Sequence, residues 1–549
     1  MRFILLKTYQ ATMYLAMLVS SSTDAFGFGA FTNKQMGTNI SLSSKAPLPL
    51  LAVKSASSKF STSLSSSNSN GSDLVCEDVE DVSICVIGGG VSGMTAALKA
   101  SEKMNNKLNS VVLLESESTL GGRVQSDRTE DGFILDRGFA VFIEEYPSSK
   151  EILDYDALKL AKFDPAALIR INNQDSLCRI ADPLRQPQHL VTTLFTRVGR
   201  TMDKIRLVKL LLTVVLKSSK RLFEEEETDT MTCLKKRYNF SDKMIDEFFD
   251  PFLQGIYLAP LEEQSSKMFH FVLKMFIQGS VSLPQNGIGA VADQLSEKLR
   301  EVGVDIRMNR TVDKISIERS DDRFLIKTSD EKCLIRAKAV ILATDKQVAN
   351  KLMSGFERFK FLAELPKEAQ RSVGCIYYTF EGKEPVTDPI LILNGVGSTS
   401  SNNPVNNVCF PSVVNPFCAP TGYGLCCVSV RSETMKKYEG RDEHLDADVR
   451  TQLANWFPNY AEDIKKRWNL KKMYFIKNAQ PVQLNGLLPA NVFGGRDCRA
   501  FTSGAGSEDT ISLPDGLFLC GDHMATSSLN GALESGVNAG LAAASQVAK

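Results

Sequence analysis

Apolar residues keep three spacings along this chain, and each predicts a different element. After Ser83 they run unbroken as Ile-Cys-Val-Ile and stop at Gly88. A short apolar run ending at glycine reads as a buried strand. Small and apolar residues follow from Met94 to Ala100, which predicts a helix that starts inside the glycine run. Beyond a polar loop, Val111-Val-Leu-Leu114 predicts a second strand. Farther on, residues 304–308, 312–317, 323–327 and 339–343 alternate or run apolar and read as strands, with a helix expected to end at Leu299. Residues 516–520 predict a last strand ahead of a small-residue helix. Residues 190–216 have helical spacing, with Met202, Ile205, Val208, Leu211, Leu212 and Val215 on one stripe.

The first of these elements carries chemistry. Gly88-Gly89-Gly90-Val91-Ser92-Gly93 is a G-x-G-x-x-G motif in the strand–turn–helix context of a dinucleotide fingerprint. Gly88 allows the tight turn, Gly90 lets the backbone approach a pyrophosphate, and Gly93 lets the helix pack close to the strand. The N–H groups of the helix start, around Ser92, then face the phosphates. Glu115 ends the second strand about 20 residues on, where a carboxylate accepts from a ribose 2′-OH. That carboxylate would repel a phosphorylated ribose, so FAD or NAD fits and NADP does not.

The ends and the composition narrow the picture. Residues 1–25 carry Arg2 and Lys7, then an apolar run from Ala11 to Val19, then small residues. This reads as a signal peptide, too short in its apolar part to span a bilayer. Residues 26–72 hold 13 serines, four lysines and no Asp or Glu, which is transit-peptide composition. The pair resembles the bipartite presequence of algae with complex, red-derived plastids, and Phe26 resembles their import signal. A plastid location is therefore expected, with residues 26–81 a transit peptide and disordered linker and folding from about Val82. Lys and Arg total 64, as do Asp and Glu, and removing residues 1–72 leaves the rest five charges on the acidic side. No nucleic-acid partner is expected. Twelve cysteines without C-x-x-C and only four histidines argue for buried thiols in a reducing compartment and against a disulfide frame or metal site.

Two more segments carry a family resemblance. Gly121-Gly122-Arg123, then Gly132-Phe-Ile-Leu-Asp136-Arg-Gly138-Phe139, follows the first acid. Its glycines again permit close backbone approach, and Arg123 supplies a cation for a diphosphate. Near the C-terminus stands Gly521-Asp522-His523, then Ser528-Leu529-Asn530-Gly531-Ala532. The three signatures, in this order, resemble the flavin-containing amine oxidase and phytoene desaturase superfamily over residues 82–549. The resemblance implies an α/β fold: a discontinuous Rossmann-type FAD-binding domain of the GR2 type with an inserted α+β substrate domain. The FAD-binding parts are then residues 82–145, 283–345 and 471–549. The substrate parts are 146–282, helical, and 346–470, sheet and helices. It also implies that Gly121, Gly122, Arg123, Gly138 and Phe139 line FAD, that Val312 contacts the adenine through its backbone, and that Ala343 passes near the cofactor. Asp522, after Gly521, would bond the ribityl–phosphate region. The helix start at Leu529, Asn530 and Ala532 would point its dipole at the flavin edge where negative charge gathers on reduction. His523 reads as structural.

The chain departs from the amine-oxidase pattern at its reacting end. Gly374 stands where a lysine is water-bridged to the flavin, and Ser528 and Ala525 stand where the aromatic cage is built. No cysteine sits in the covalent-attachment context, so FAD is expected to be non-covalent. Catalytic residues are not identified. The first expectation is an FAD oxidoreductase acting on a lipophilic polyene or isoprenoid, by carotenoid desaturation or flavin-dependent isomerisation, with a quinone as electron acceptor. Alternatives are an amine or protoporphyrinogen oxidase, and a non-catalytic flavin or pigment carrier. The segment from Phe248 to Leu258 suits an apolar pocket, and the basic helix at 190–216 suits peripheral membrane association.

Overall fold

The structure is a computed structural model that describes residues 79–107, 110–171, 177–182, 185–318, 322–329, 334–363, 371–396, 403–481, 500–502 and 510–549. The expected signal peptide, and the transit segment up to residue 78, lie outside the described residues.

Three distant stretches of chain build the first sheet. Its order is Asp305–Arg307, Val111–Leu114, Val79–Ile87, Leu334–Leu342, Phe324–Thr328, Val312–Ile317, with Leu517–Leu519 also paired to Leu334–Leu342. The central strands are parallel, and their ends are apolar and buried on both faces, as parallel strands under helices must be. The pairs Val312–Ile317/Phe324–Thr328 and Phe324–Thr328/Leu334–Leu342 are antiparallel. The first strand begins at Val79, three residues ahead of the expected start at Val82. Val79, Glu80 and Asp81 pair with Leu334, Ile335 and Arg336. Ion pairs hold them there: Glu80 with Arg307 at 2.6 Å, and Asp81 with Arg323 at 2.6 Å and Arg336 at 2.7 Å.

The helix Val91–Lys103 covers one face of this sheet together with the C-terminal helix Leu529–Val547. Their contact is made of small residues: Ala96, Ala97 and Ala100 on one helix, Ala539, Ala543 and Ala544 on the other, all fully buried. A Cβ on Gly536 would lie 2.4 Å from the Ser92 carbonyl oxygen, and one on Gly540 would lie 2.3 Å from that of Ala96. The helix Leu529–Val547 thus seats directly on Val91–Lys103.

The second sheet runs Asn469–Gln480, Arg371–Glu381, Tyr423–Arg431, Val405–Cys409, Leu391–Asn394, Ala166–Arg170, Cys178–Ala181. Two of its strands come from the stretch expected to be helical, and Asn469–Gln480 crosses the expected boundary at 470. The helix Asp442–Trp456 packs on one face of this sheet, and the described helices between 201 and 278 pack against its other end. The described cysteines are free thiols, all buried except the partly exposed Cys178.

Residues 190–216 form two helices, Leu190–Phe195 and Thr201–Leu216. The residues of the expected stripe do not share one environment. Leu207, Leu210, Leu211 and Val214 are buried, whereas Met202 and Ile205 are each 54% exposed. The second helix is apolar on more than one face, and spacing alone does not say which face meets the core.

The seat between Val91–Lys103 and Leu529–Val547 yields a stability prediction. Gly540→Ala gains about 1 kcal/mol of helix propensity but must push two backbones apart, at about 1–3 kcal/mol. A net loss is expected, read as a lower urea midpoint at unchanged m-value. A higher midpoint would show that the helices separate freely.

Candidate functional site

The turn after the first strand is set by missing side chains. Gly88 has φ +109° and donates its N–H to the Leu114 carbonyl at 2.8 Å. A Cβ there would lie 2.8 Å from the Ala343 carbonyl oxygen, and Ala343 itself donates to Ile87. A Cβ on Gly93 would lie 1.9 Å from the Gly88 carbonyl oxygen. Gly90 differs, because a Cβ on it would meet nothing within 4 Å. Gly90 is also the N-cap of the helix, and no side chain caps that end. Open space in front of an uncapped helix start, with Ser92 buried in its first turn, fits a pyrophosphate.

Glu115 closes the second strand and is buried. One of its oxygens accepts the Gly89 N–H at 2.6 Å, and the other accepts the Glu117 N–H at 2.9 Å and the Ser116 hydroxyl at 3.0 Å. A carboxylate has about four acceptor positions, so capacity remains for a ribose hydroxyl. The Glu115 backbone bonds to Arg307 and Arg310, which places the loop ahead of Val312 beside it. Val312 itself pairs with Thr328 on an outer strand.

The second signature meets the first by backbone. The Gly121 N–H donates to the Gly89 carbonyl at 2.9 Å. A Cβ on Gly122, whose φ is +58°, would lie 3.3 Å from the Gly90 Cα. Arg123 then reaches the third signature. Its two terminal nitrogens donate to both oxygens of Asp522, at 2.8 and 2.7 Å, and one also donates to the Ala479 carbonyl at 3.0 Å. The cation expected for a diphosphate and the acid expected for the ribityl region are thus a bidentate pair. Gly521, with φ +145°, donates its N–H to the Ser535 hydroxyl, and the His523 ring packs over it.

The start of the C-terminal helix divides its roles. Ser528 caps it by accepting the Gly531 N–H, and Leu529 lines a cavity. The buried Asn530 accepts the Ser148 N–H at 3.0 Å, which ties this helix to Pro147–Ile152. Ala532 packs on the core under the first sheet. The structure therefore joins Gly88, Gly90, Gly93, Glu115, Gly121, Gly122 and Ala343 at one turn and Arg123 with Asp522 beside it. Val312 is held by Thr328, Asn530 by Ser148, and Ala532 by the core cluster that also contains Ala343.

The cavity measures about 370 Å³ and lies between the signature residues and the second sheet. Phe139, beside Gly138 with its φ of +101°, forms part of its wall with Ser527, Ser528 and Leu529. Phe163, Phe248, Phe249, Phe252, Phe269 and Phe276 also line it, with Leu207 and Leu211. Polar groups are few. The Tyr257 hydroxyl donates to the Met268 carbonyl, and Tyr146 is buried in the wall. Arg185 donates from Nε to Asp182 at 2.8 Å and from Nη1 to the Gly279 carbonyl at 2.6 Å. Tyr146, Arg185 and Gln480 were not legible beforehand: each comes from a loop or strand end with no motif around it. The aromatic run from Phe248 was.

Gly374 needs correction as the stand-in for the lysine. A Cβ on it would lie 2.3 Å from the Met435 sulfur, so it faces away from the signatures. The next residues on the other face of that strand, Cys375 and Tyr377, pack with Phe133 and Leu135, and the strand Arg371–Glu381 contains no lysine. Aromatic residues that share the cavity lining with Ser528, Tyr146 and Phe139 among them, come from other segments.

Asp136 links these parts. Its carboxylate accepts the Ser126 hydroxyl at 2.6 Å and the Ile288 N–H at 2.9 Å, and its carbonyl accepts the Tyr377 hydroxyl at 3.1 Å. Burial pushes its carboxyl up to about 6, against the pull of the two donors.

The description "Flavin containing amine oxidoreductase" matches residues 91–548. A coproporphyrinogen III oxidase of Propionibacterium freudenreichii subsp. freudenreichii is 26% identical over 200 residues, 36% of this chain and 36% of that one. Protoporphyrinogen oxidase 2, chloroplastic/mitochondrial, of Arabidopsis thaliana is 25% identical over 197 residues, again 36% of each. The match thus spans about a third of either curated relative. Among solved structures, cyclohexylamine oxidase from Brevibacterium oxydans IH-35A is similar at a TM-score of 0.58 and 14% identity, covering 85% of this chain and 100% of that one. At that identity the likeness is one of fold.

Two outcomes are expected. Arg123→Ala and Asp522→Ala should each weaken flavin retention, and the double variant should lose less than the sum, with a coupling on the order of 1 kcal/mol or more. Flavin dissociation constants for the four proteins measure it, and strict additivity would show that the pair does not act as a unit. For Asp136, a carboxyl raised on folding holds its proton more tightly in the folded chain. Its contribution is present below the unfolded value, about 3.9, and is lost as pH rises through about 6. Urea midpoints of the native chain should therefore fall across that window relative to Asp136→Asn. Parallel profiles would remove Asp136 as the cause.

Proposed function

The chain belongs to the flavin-containing amine oxidoreductase family, and from that premise we propose that it is an FAD-dependent oxidoreductase whose substrate is a porphyrinogen: a large apolar macrocycle bearing carboxylate arms. The observation that carries this reading is the cavity, an aromatic-lined space flush with the third signature, whose described lining includes one guanidinium, Arg185. Apolar walls suit the macrocycle. With Nε and Nη1 of Arg185 engaged, Nη2 has no acceptor among the described residues and can take a substrate carboxylate by a charge-assisted bond. The names of the two curated relatives support the same substrate class. The amine alternative lacks support at the strand Arg371–Glu381, which carries no lysine.

The glycine turn, Glu115 and the Arg123–Asp522 segment would hold FAD without a covalent bond, and the cofactor would supply a two-electron acceptor. The chain's own residues position the substrate. The phenyl walls exclude water, and the helix start at Ser528 and Leu529 presents its N-terminal dipole to the inner end of the cavity. Tyr257 spends its proton on the Met268 carbonyl, so its oxygen can accept a pyrrole N–H. The carboxylates in the wall are both engaged, Asp164 with Arg179 and Asp182 with Arg185. They hold position and are not free to act as a base.

A polyene substrate is the second reading, favoured by the same apolar lining and by Leu207 and Leu211 of the basic helix at the cavity wall. Arg185 separates the two, since a hydrocarbon has no use for a cation. Purified flavoprotein should be bleached anaerobically by a porphyrinogen and not by cis-carotenes or polyamines. Arg185→Met should raise KM about ten-fold or more, as loss of a charged hydrogen bond does, with kcat little changed. Flavin reduction or isomer change with polyenes alone would overturn the porphyrinogen reading.

A further inference from the structure

The helix Thr201–Leu216 faces the cavity on one side and open solvent on the other. Leu207 and Leu211 line the cavity. Met202, Ile205, Lys209, Leu212 and Leu216 recur at intervals of three and four, which puts them on one outward stripe. Met202 and Ile205 are 54% exposed, and Leu216 is 61% exposed. On the preceding helix Val191 and Phe195 are exposed too, Phe195 to 84%. Single exposed apolar side chains are ordinary, but a contiguous set on adjacent helices marks an interaction surface.

Charge selects the partner. From residue 190 to 217 the chain has six cations and one acid. That acid, Asp203, is fully buried and engaged by Ser241 and Arg206. Arg197, Arg200 and Lys209 are exposed beside the apolar tips. A partner for this face must be negatively charged at its surface and apolar just beneath. Among the described residues no helix is long and apolar enough to cross a membrane, so contact by this face is peripheral.

We propose that this face docks on an anionic lipid bilayer, with Phe195, Met202 and Ile205 inserted among the acyl chains and Arg197, Arg200 and Lys209 on the headgroups. Long cationic side chains lie along apolar surface and keep their charge at the headgroup level. Apolar insertion and polybasic attraction are the two signals that stable peripheral binding needs. Docking sets the cavity-lining helix itself on the membrane, so a lipid-dissolved substrate would reach the cavity without crossing bulk water. The proposal does not depend on which lipophilic substrate is used.

The experiment uses the full, flavin-loaded chain with phosphatidylcholine vesicles, plain or doped with phosphatidylglycerol. Hydrogen–deuterium exchange localises any contact, so binding through the N-terminal residues is told apart. Doped vesicles should protect peptides spanning residues 190–216, and plain ones much less. Phe195→Ser/Met202→Ser/Ile205→Ser and, separately, Arg200→Glu/Lys209→Glu should each abolish that protection and lower vesicle partition on the order of ten-fold. Both should keep the flavin spectrum and thermal midpoint, because the side chains are exposed. Absence of protection on doped vesicles, or protection unchanged in both variants, overturns the proposal. So does a drop in oligomer size caused by the same substitutions without vesicles, which would assign the face to a second copy of the chain.

Discussion

Backbone approaching backbone, at positions where no Cβ fits, is the constraint on which the rest of this structure depends. Gly88 lies against the Ala343 carbonyl, Gly93 against Gly88, and Gly122 against Gly90. Gly536 and Gly540 repeat the arrangement where Leu529–Val547 meets Val91–Lys103. Apart from Gly93 against Gly88, which closes the turn itself, these contacts join segments distant in the chain, and they are unyielding because backbone at van der Waals distance cannot move aside as a side chain can. The cleft that results has backbone N–H groups at its floor and open space only at Gly90, which is what an extended diphosphate cofactor requires.

Two carboxylates extend that constraint outward. Glu115 collects donors from both sides of the turn. Asp522 draws Arg123 across and so closes the second signature onto the third. Asp136 does the same for the cavity, holding the loop at Ile288 and the second sheet through Tyr377. The second sheet is thus hydrogen-bonded to the nucleotide part as well as packed against it, and the wall at Phe139 is positioned by both.

The cavity itself is built from residues with weaker individual signals. Its phenyl groups come from several helices and loops, and the guanidinium of Arg185 comes from a loop beside the strand Cys178–Ala181. Such a site can change its substrate by exchanging wall residues while the glycine contacts stay as they are, which is why the fold alone does not name the reaction.

Local pattern by itself determined the strand–turn–helix at Gly88, the acid at Glu115 and the strands of the first sheet, while the division of that sheet among three stretches of chain was implied by the family resemblance. The local features follow from interactions between residues a few positions apart, or from glycine's freedom of backbone, and both can be read along a line. Tertiary structure alone decided the rest. It set which face of Thr201–Leu216 meets the core, because a helix apolar on two sides satisfies the same periodicity either way. It turned Gly374 toward Met435, because alternation along a strand fixes two faces but not which one looks at the site. It made Arg123 and Asp522 partners and put Arg185 in the cavity wall, because contacts between side chains hundreds of residues apart leave no spacing in the sequence to find them by.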